Sequence, residues 1–264
     1  MSNLIADYCS SHDYFNGNVS AWDVSSVTDM HQMFEEAYVF DQSLATWDVS
    51  SVTNMNSMFY EAHAFNQPLA AWDVSSVTNM YGIFNNAYAF NQALAAWDVS
   101  SVTDMFYMFY DAQAFNQALA AWDVSSVTDM MHMFDSATVF NQALATWDVS
   151  SVTDMGGIFW YASAFNQPLA TWDVSSVTSM GGMFYYAYAF NQVLCWDMWG
   201  VATGNMFYGS GTTYGAAFYN PACPFVPITD SSSLRTAIGV WCQNSTYAAD
   251  NYGDISTWCV KNCS

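Results

Sequence analysis

Around Trp47 apolar and polar residues alternate, with Trp47 and Val49 on one side and Thr46, Asp48 and Ser50 on the other, which predicts a short strand. From Thr53 onward Met55, Met58, Phe59 and Ala62 return at steps of three and four, which predicts about two turns of helix. Ser51-Val52-Thr53-Asn54 precedes them as a hydroxyl followed three residues later by a short amide, a weak form of the capping box. Phe65-Asn66-Gln67 then turns the chain toward the next strand. The pattern recurs without insertion: Trp22, Trp47, Trp72, Trp97, Trp122, Trp147 and Trp172 lie 25 residues apart, and an altered eighth unit begins at Trp196. A unit this short cannot bury its own apolar face and has to stack on its neighbours.

Strand, helix and turn within one unit describe an α/β solenoid, a leucine-rich-repeat-like right-handed coil of about eight strand–helix repeats. Eight coils at roughly 4.7–4.9 Å per strand make a stack about 40 Å long. The expected division is an N-terminal half-coil over 1–14, the repeat array over 15–210, and a cysteine-containing cap over 211–264 with a helix and a partial repeat.

The phrases WDVSSVTDMxxMF and AFNQxLxxWDVSSVT, over about residues 15 to 208, resemble the repeats of BspA-type leucine-rich-repeat surface proteins. That resemblance implies an extracellular or surface location and roles in adhesion or protein interaction, with no catalytic residues. The segment from Ser233 to Trp258 also resembles the helical lead-in to a fresh array, except that Cys259 stands where Asp is usual.

Composition narrows the partners. The chain of 264 residues has a formal charge of -21, with Arg235 and Lys261 its only basic side chains. It cannot neutralise phosphates and would be repelled by an anionic membrane surface. No apolar run of about 18 residues is present to span a membrane. Six cysteines (Cys9, Cys195, Cys223, Cys242, Cys259 and Cys263) and glycosylation acceptor triplets at Asn18, Asn244 and Asn262 point to a secreted or surface product.

The acidic residues of the WD pairs form one column, Asp23, Asp48, Asp73, Asp98, Asp123, Asp148, Asp173 and Asp197. Each carboxylate is expected to accept bonds within its own D-V-S-S turn. The functional alternative is a row of weak calcium sites at Asp48, Asp73, Asp98 and Asp123, since hard oxygen ligands suit that ion. The FNQ amides are expected to bond from coil to coil, and the repeated methionines to fill the core. No zinc spacing, catalytic triad or unique carboxylate pair is present, so a non-enzymatic protein without a cofactor is expected.

Positions that vary between units carry more information. Phe106, Tyr107 and Tyr110 should form one exposed aromatic cluster, and Trp160, Tyr161, Tyr185, Tyr186 and Tyr188 a larger one. Contiguous apolar patches on a soluble protein mark interfaces, and the neighbouring Gly156-Gly157 and Gly181-Gly182 pairs would admit a partner closely. At the ends, the tail from Ile255 to Ser264 reads as the first third of a unit, and Leu4 to Tyr14 would complete it in the next molecule. Cys9 lies too far from the other cysteines for a bridge within one stack. The leading expectation is therefore a head-to-tail homopolymer, a cell-surface or matrix filament. A monomeric adhesin that binds surface proteins or glycans through the aromatic face is the alternative.

Overall fold

A computed structural model describes residues 14–196, 198, 200–213 and 217. The coils do stack at the 25-residue period, but they are not strand–helix units. Among the described residues no strand is formed, and helical backbone is confined to Tyr14, in a 3-10 conformation, and Ala217. The α/β architecture is therefore replaced by coils made almost wholly of turns.

The segment expected to be helical shows why. Met58, Tyr60 and Ala62 donate their N–H groups to the carbonyls of Met55, Ser57 and Phe59, three residues back rather than four. The intervening Met55, Ser57, Phe59 and Glu61 donate to Asn79, Tyr81, Ile83 and Asn85 of the next coil. Ser57 and Glu61 have φ of 52° and 56°, and the equivalent positions in the other coils are also left-handed, which no α-helix tolerates. A run of four-residue turns returns side chains inward at three and four residues, as a helix does. The apolar spacing is thus the same for both.

The expected strand fails differently. Trp47 and Val49 are buried and Asp48 exposed, so the alternation holds. Yet Trp47 and Val52 close turns onto Leu44 and Val49 instead of pairing with a neighbouring strand. Each coil contributes one isolated parallel bridge farther on, at Asp29, Asn54, Asn79, Asp104, Asp129, Asp154, Ser179 and Ala202. The Asn54 side chain does not cap a helix there: its Oδ1 accepts the N–H of Asn56, an Asx turn.

Packing is columnar. Phe59 lies 4.1 Å from Phe65 within its coil and 5.7 Å from Phe84 in the next. The two columns of phenylalanines are fully buried from Phe34 to Phe184 and from Phe40 to Phe190, as are Met30, Met55, Met80 and their equivalents. Each buried phenylalanine is worth about 1.5–3 kcal/mol of transfer free energy. Tryptophans stack in a third column, Trp72 on Trp97 at 6.5 Å and 2°. The altered eighth coil continues the order, with Trp196 on Trp172 at 6.2 Å and Phe207 on Phe184 at 5.4 Å.

Hydrogen bonds between coils run forward on one face, while elsewhere the Thr103 N–H, the Trp97 indole and the Gln92 amide donate to the preceding coil. Met80, Gly82, Phe84 and Asn86 all donate to the following coil, at Asp104, Phe106, Met108 and Tyr110, and the same four bonds recur from the first described coil to the seventh. On this face every coil offers carbonyls backward and N–H groups forward.

Candidate functional site

The FNQ amides bond from coil to coil. Asn66 Oδ1 accepts the Asn91 N–H at 3.0 Å and Gln92 Nε2 at 2.9 Å, and this arrangement repeats as far as Gln192. Each Asn Oδ1 and Gln Nε2 of the ladder is thereby taken up by the fold.

The WD aspartates are also engaged locally. Asp48 Oδ1 accepts the Ser50 N–H at 3.1 Å and its hydroxyl at 2.6 Å, and Asp73, Asp98 and Asp123 repeat the pair with Ser75, Ser100 and Ser125. The serine hydroxyl is the main reason that Asp48, Asp73 and Asp98 titrate below the ordinary carboxylate range, with the serine N–H next. Each coil thus supplies one carboxylate with one oxygen already committed. Among the described residues no three His, Cys, Asp or Glu side chains are grouped to hold a metal ion, so this column is a poor fit for calcium. Asp197 lies outside the described residues.

The variable positions after each methionine form two adjacent columns, one from Gln32 through Ser57 and Gly82 to Gly182, the other from Glu35 through Tyr60 and Asn85 to Tyr185. Left-handed backbone at every first-column residue, φ 52° to 63°, turns the two side by side. The rings expected in the two clusters lie together, though most are half-buried and not exposed: Phe106 lies 4.0 Å and Tyr110 5.0 Å from Tyr107, and Trp160 lies 4.0 Å from Tyr185. Tyr161 and Tyr186 stack at 5.0 Å, and Tyr188 lies 5.6 Å from Tyr186.

They are not two clusters, however. His132 joins them, 5.3 Å from Tyr107 and 6.1 Å from Trp160, and Tyr81 and Tyr208 extend the array at its two ends. The lone histidine gave no periodic signal in sequence, and only the column register brings it into place. Its Nδ1 is 2.8 Å from Asp135 Oδ2, while Ser136 donates its hydroxyl to Asp135 Oδ1. Because that serine bonds the carboxylate and not the imidazole, this is no nucleophile–base pair.

Two expectations about this face change. Many of the rings, such as Trp160 and Tyr185, lie face to face on one another, so stacking surface for a sugar is largely consumed. Within the array Tyr188, Tyr208 and Tyr161 keep the largest exposure, 59%, 56% and 40%. The glycines do not wait for a partner either: a Cβ on Gly157 would meet His132 at 2.4 Å, and one on Gly182 would meet Trp160 at 2.3 Å. The molecule fills those places with its own preceding coil.

Carboxylates concentrate where the columns begin. Tyr60, half-buried, has its hydroxyl pushed up to about 12 by burial, by its bond to Glu61, and by the charges of Glu61, Glu36 and Glu35. Burial, opposed by Gln32, raises Glu35 above the ordinary range. Asn18 is exposed, and its Oδ1 accepts the Ser20 N–H at 2.9 Å. Cys195 is disulfide-bonded. Cys9, Cys223, Cys242, Cys259, Cys263, Asn244 and Asn262 lie outside the described residues, as do all of the expected half-coil over 1–14 except Tyr14 and most of the cap. No helix among the described residues is long and apolar enough to cross a membrane.

A family model described as "Mycoplasma protein of unknown function, DUF285" matches residues 2–122 and 114–216. No curated protein matches the chain.

Proposed function

On the premise that the chain belongs to the DUF285 family, we propose that it is a non-enzymatic structural protein of the cell surface or extracellular matrix that assembles end to end. One observation carries this reading: the forward direction of the four bonds between successive coils. On that face the leading edge of a coil carries N–H groups and the trailing edge carbonyls, and on the faces of the Thr, Trp and FNQ bonds the sense is reversed, so two such stacks complement each other head to tail and not head to head. Contacts of that kind are heterologous, and when they do not close into a ring they generate filaments. The outside location is supported by the likeness of the repeat phrase to BspA-type surface proteins and by the exposure of the acceptor Asn18.

Purified full-length chain should form linear assemblies whose length grows with concentration, visible by electron microscopy and as a non-reducing electrophoretic ladder that collapses on reduction. A monomer at every concentration, with Cys9 free, would overturn the proposal.

A second reading, a surface adhesin, is favoured by the continuous aromatic array from Tyr81 to Tyr208. Since its rings stack largely on one another, their edges suit a protein partner better than a glycan. Loss of cell or protein binding on replacing Tyr161 and Tyr188 together by serine would support it.

A further inference from the structure

We propose that Tyr188 and Tyr208 form an oxidative cross-linking site, at which a haem peroxidase with peroxide joins two copies of this chain by a tyrosine–tyrosine bond. Both rings are more than half exposed. They close the aromatic array at its most tyrosine-rich end, with other oxidisable rings in contact behind them. Tyr186 lies 5.6 Å from Tyr188 and 5.5 Å from Tyr208, and Tyr185 lies 4.6 Å from Tyr186 and 5.2 Å from Tyr208. Tyr161 stacks on Tyr186 at 5.0 Å, and Trp160 on Tyr185 at 4.0 Å.

Phenols and indoles give up an electron far more readily than phenylalanine or aliphatic side chains. An electron vacancy made in any ring of this group can pass to the rings it touches, and it is trapped where a phenol can release its proton to water. Tyr185 and Tyr186 are half-buried, and the Tyr186 hydroxyl is bonded to Tyr208. Tyr188 and Tyr208 face solvent, so the proton leaves there and the phenoxyl radical comes to rest on them.

The second radical comes from another molecule, and the charge pattern lets it approach. The chain carries -21 overall, yet between Asp154 and Asp230 its only charged side chains are Asp173 and Asp197. Both belong to the WD column and neither to the variable columns. In the earlier coils those columns hold Glu35, Glu36, Glu61, Asp111 and Asp135. Charges elsewhere on the surface are screened beyond about 10 Å at 0.1 M salt, so two tyrosine-rich ends can meet without facing acids. In the bond-forming step each of two phenols loses one electron and its hydroxyl proton. The peroxide O–O bond breaks and takes up both electrons and both protons to leave two waters. The radicals join ortho carbon to ortho carbon, and each ortho hydrogen then moves as a proton to restore a hydroxyl.

Tyr14 serves as an internal control, because it is 75% exposed and stands outside the array; exposure alone would select it. The proposal does not rest on end-to-end assembly, and its bond survives reduction, whereas the end-to-end ladder collapses. Unlabelled and 15N-labelled full-length chain should be mixed, treated with a haem peroxidase and hydrogen peroxide, separated by reducing electrophoresis and mapped by mass spectrometry. The expected result is reduction-resistant dimers whose mixed-isotope peptides join Tyr188 or Tyr208 of one copy to Tyr188 or Tyr208 of the other, with Tyr14 linked less often. Tyr188→Phe/Tyr208→Phe, which keeps both rings, should lose these dimers without lowering the thermal midpoint. Tyr186→Phe, which leaves both exposed phenols in place, should at least halve their yield. Absence of such dimers, linkage mainly through Tyr14 or other tyrosines, dimers in the double variant, or an unchanged yield in Tyr186→Phe would overturn the proposal.

Discussion

The indole Nε1–H of Trp97 donates to the carbonyl of Leu69 at 3.0 Å, and the same oxygen accepts the backbone N–H of Trp72, also at 3.0 Å. One carbonyl thus closes a turn in its own coil and ties down the next. Trp97→Phe keeps a ring in the column but removes the side-chain donor from a buried acceptor. Thermal or urea unfolding should show a loss of about 1–3 kcal/mol. Trp22→Phe, at a ring 37% exposed, should cost clearly less.

The phenylalanine columns predict a larger effect. Phe109→Ala removes a fully buried ring that contacts Phe84, Phe115, Phe134 and Trp122, and should cost about 3–5 kcal/mol in denaturant unfolding.

Gly157 and Gly82 share a left-handed backbone, φ 60° and 54°, and differ in their neighbours. Gly82→Ala should cost about 1–2 kcal/mol from backbone strain alone. Gly157→Ala should cost more, because its Cβ would strike His132 at 2.4 Å. The excess should disappear in the double variant Gly157→Ala/His132→Ala when unfolding free energies are compared in a mutant cycle.

Two aspartates, Asp104 and Asp98, should respond to pH in opposite senses. Asp104 pairs with Asp129 across a parallel bridge, and burial, with that neighbouring charge, holds its carboxyl above the ordinary range despite the Phe106 N–H. A raised folded pKa means that the folded state is penalised at neutral pH and relieved as pH falls through that pKa. Asp104→Asn should therefore raise the thermal midpoint at pH 7, with the gain fading on acidification.

Asp98 shows the reverse, its pKa lowered by the Ser100 hydroxyl and N–H. Its contribution is present above the unfolded pKa and lost as pH falls through the lower folded value. Asp98→Ala should lower the midpoint at pH 7 and make no difference in strong acid.

Much of the packing was legible in the sequence, because a strict repeat states which residues share a column. Burial of Trp47, Met55 and Phe65, the serine turn at Asp48 and the Asn66–Gln92 contact all follow from register. Backbone conformation did not follow. Met55, Met58, Phe59 and Ala62 obey a spacing that a helix and a chain of turns satisfy equally, and the residues that decide between them carry no common signature. Ser57, Gly82, Tyr107 and His132 share left-handed backbone with only one glycine among them, so the usual mark of that conformation is absent. The aromatic array was hidden for a related reason. His132 joins its two parts only through the column register.

The identical forward bonding of successive coils has a genetic consequence. Since the backbone junction between any two coils matches the next, deletion or duplication of one whole unit leaves the inter-coil backbone bonds and the phenylalanine and tryptophan columns intact on both sides of the event, while the variable columns meet new neighbours. Unequal crossing-over among near-identical repeat sequences would then produce length variants that still fold, whereas a shift by a single codon would misalign all columns downstream. Selection on such a gene can tune the reach of its product in steps of one coil.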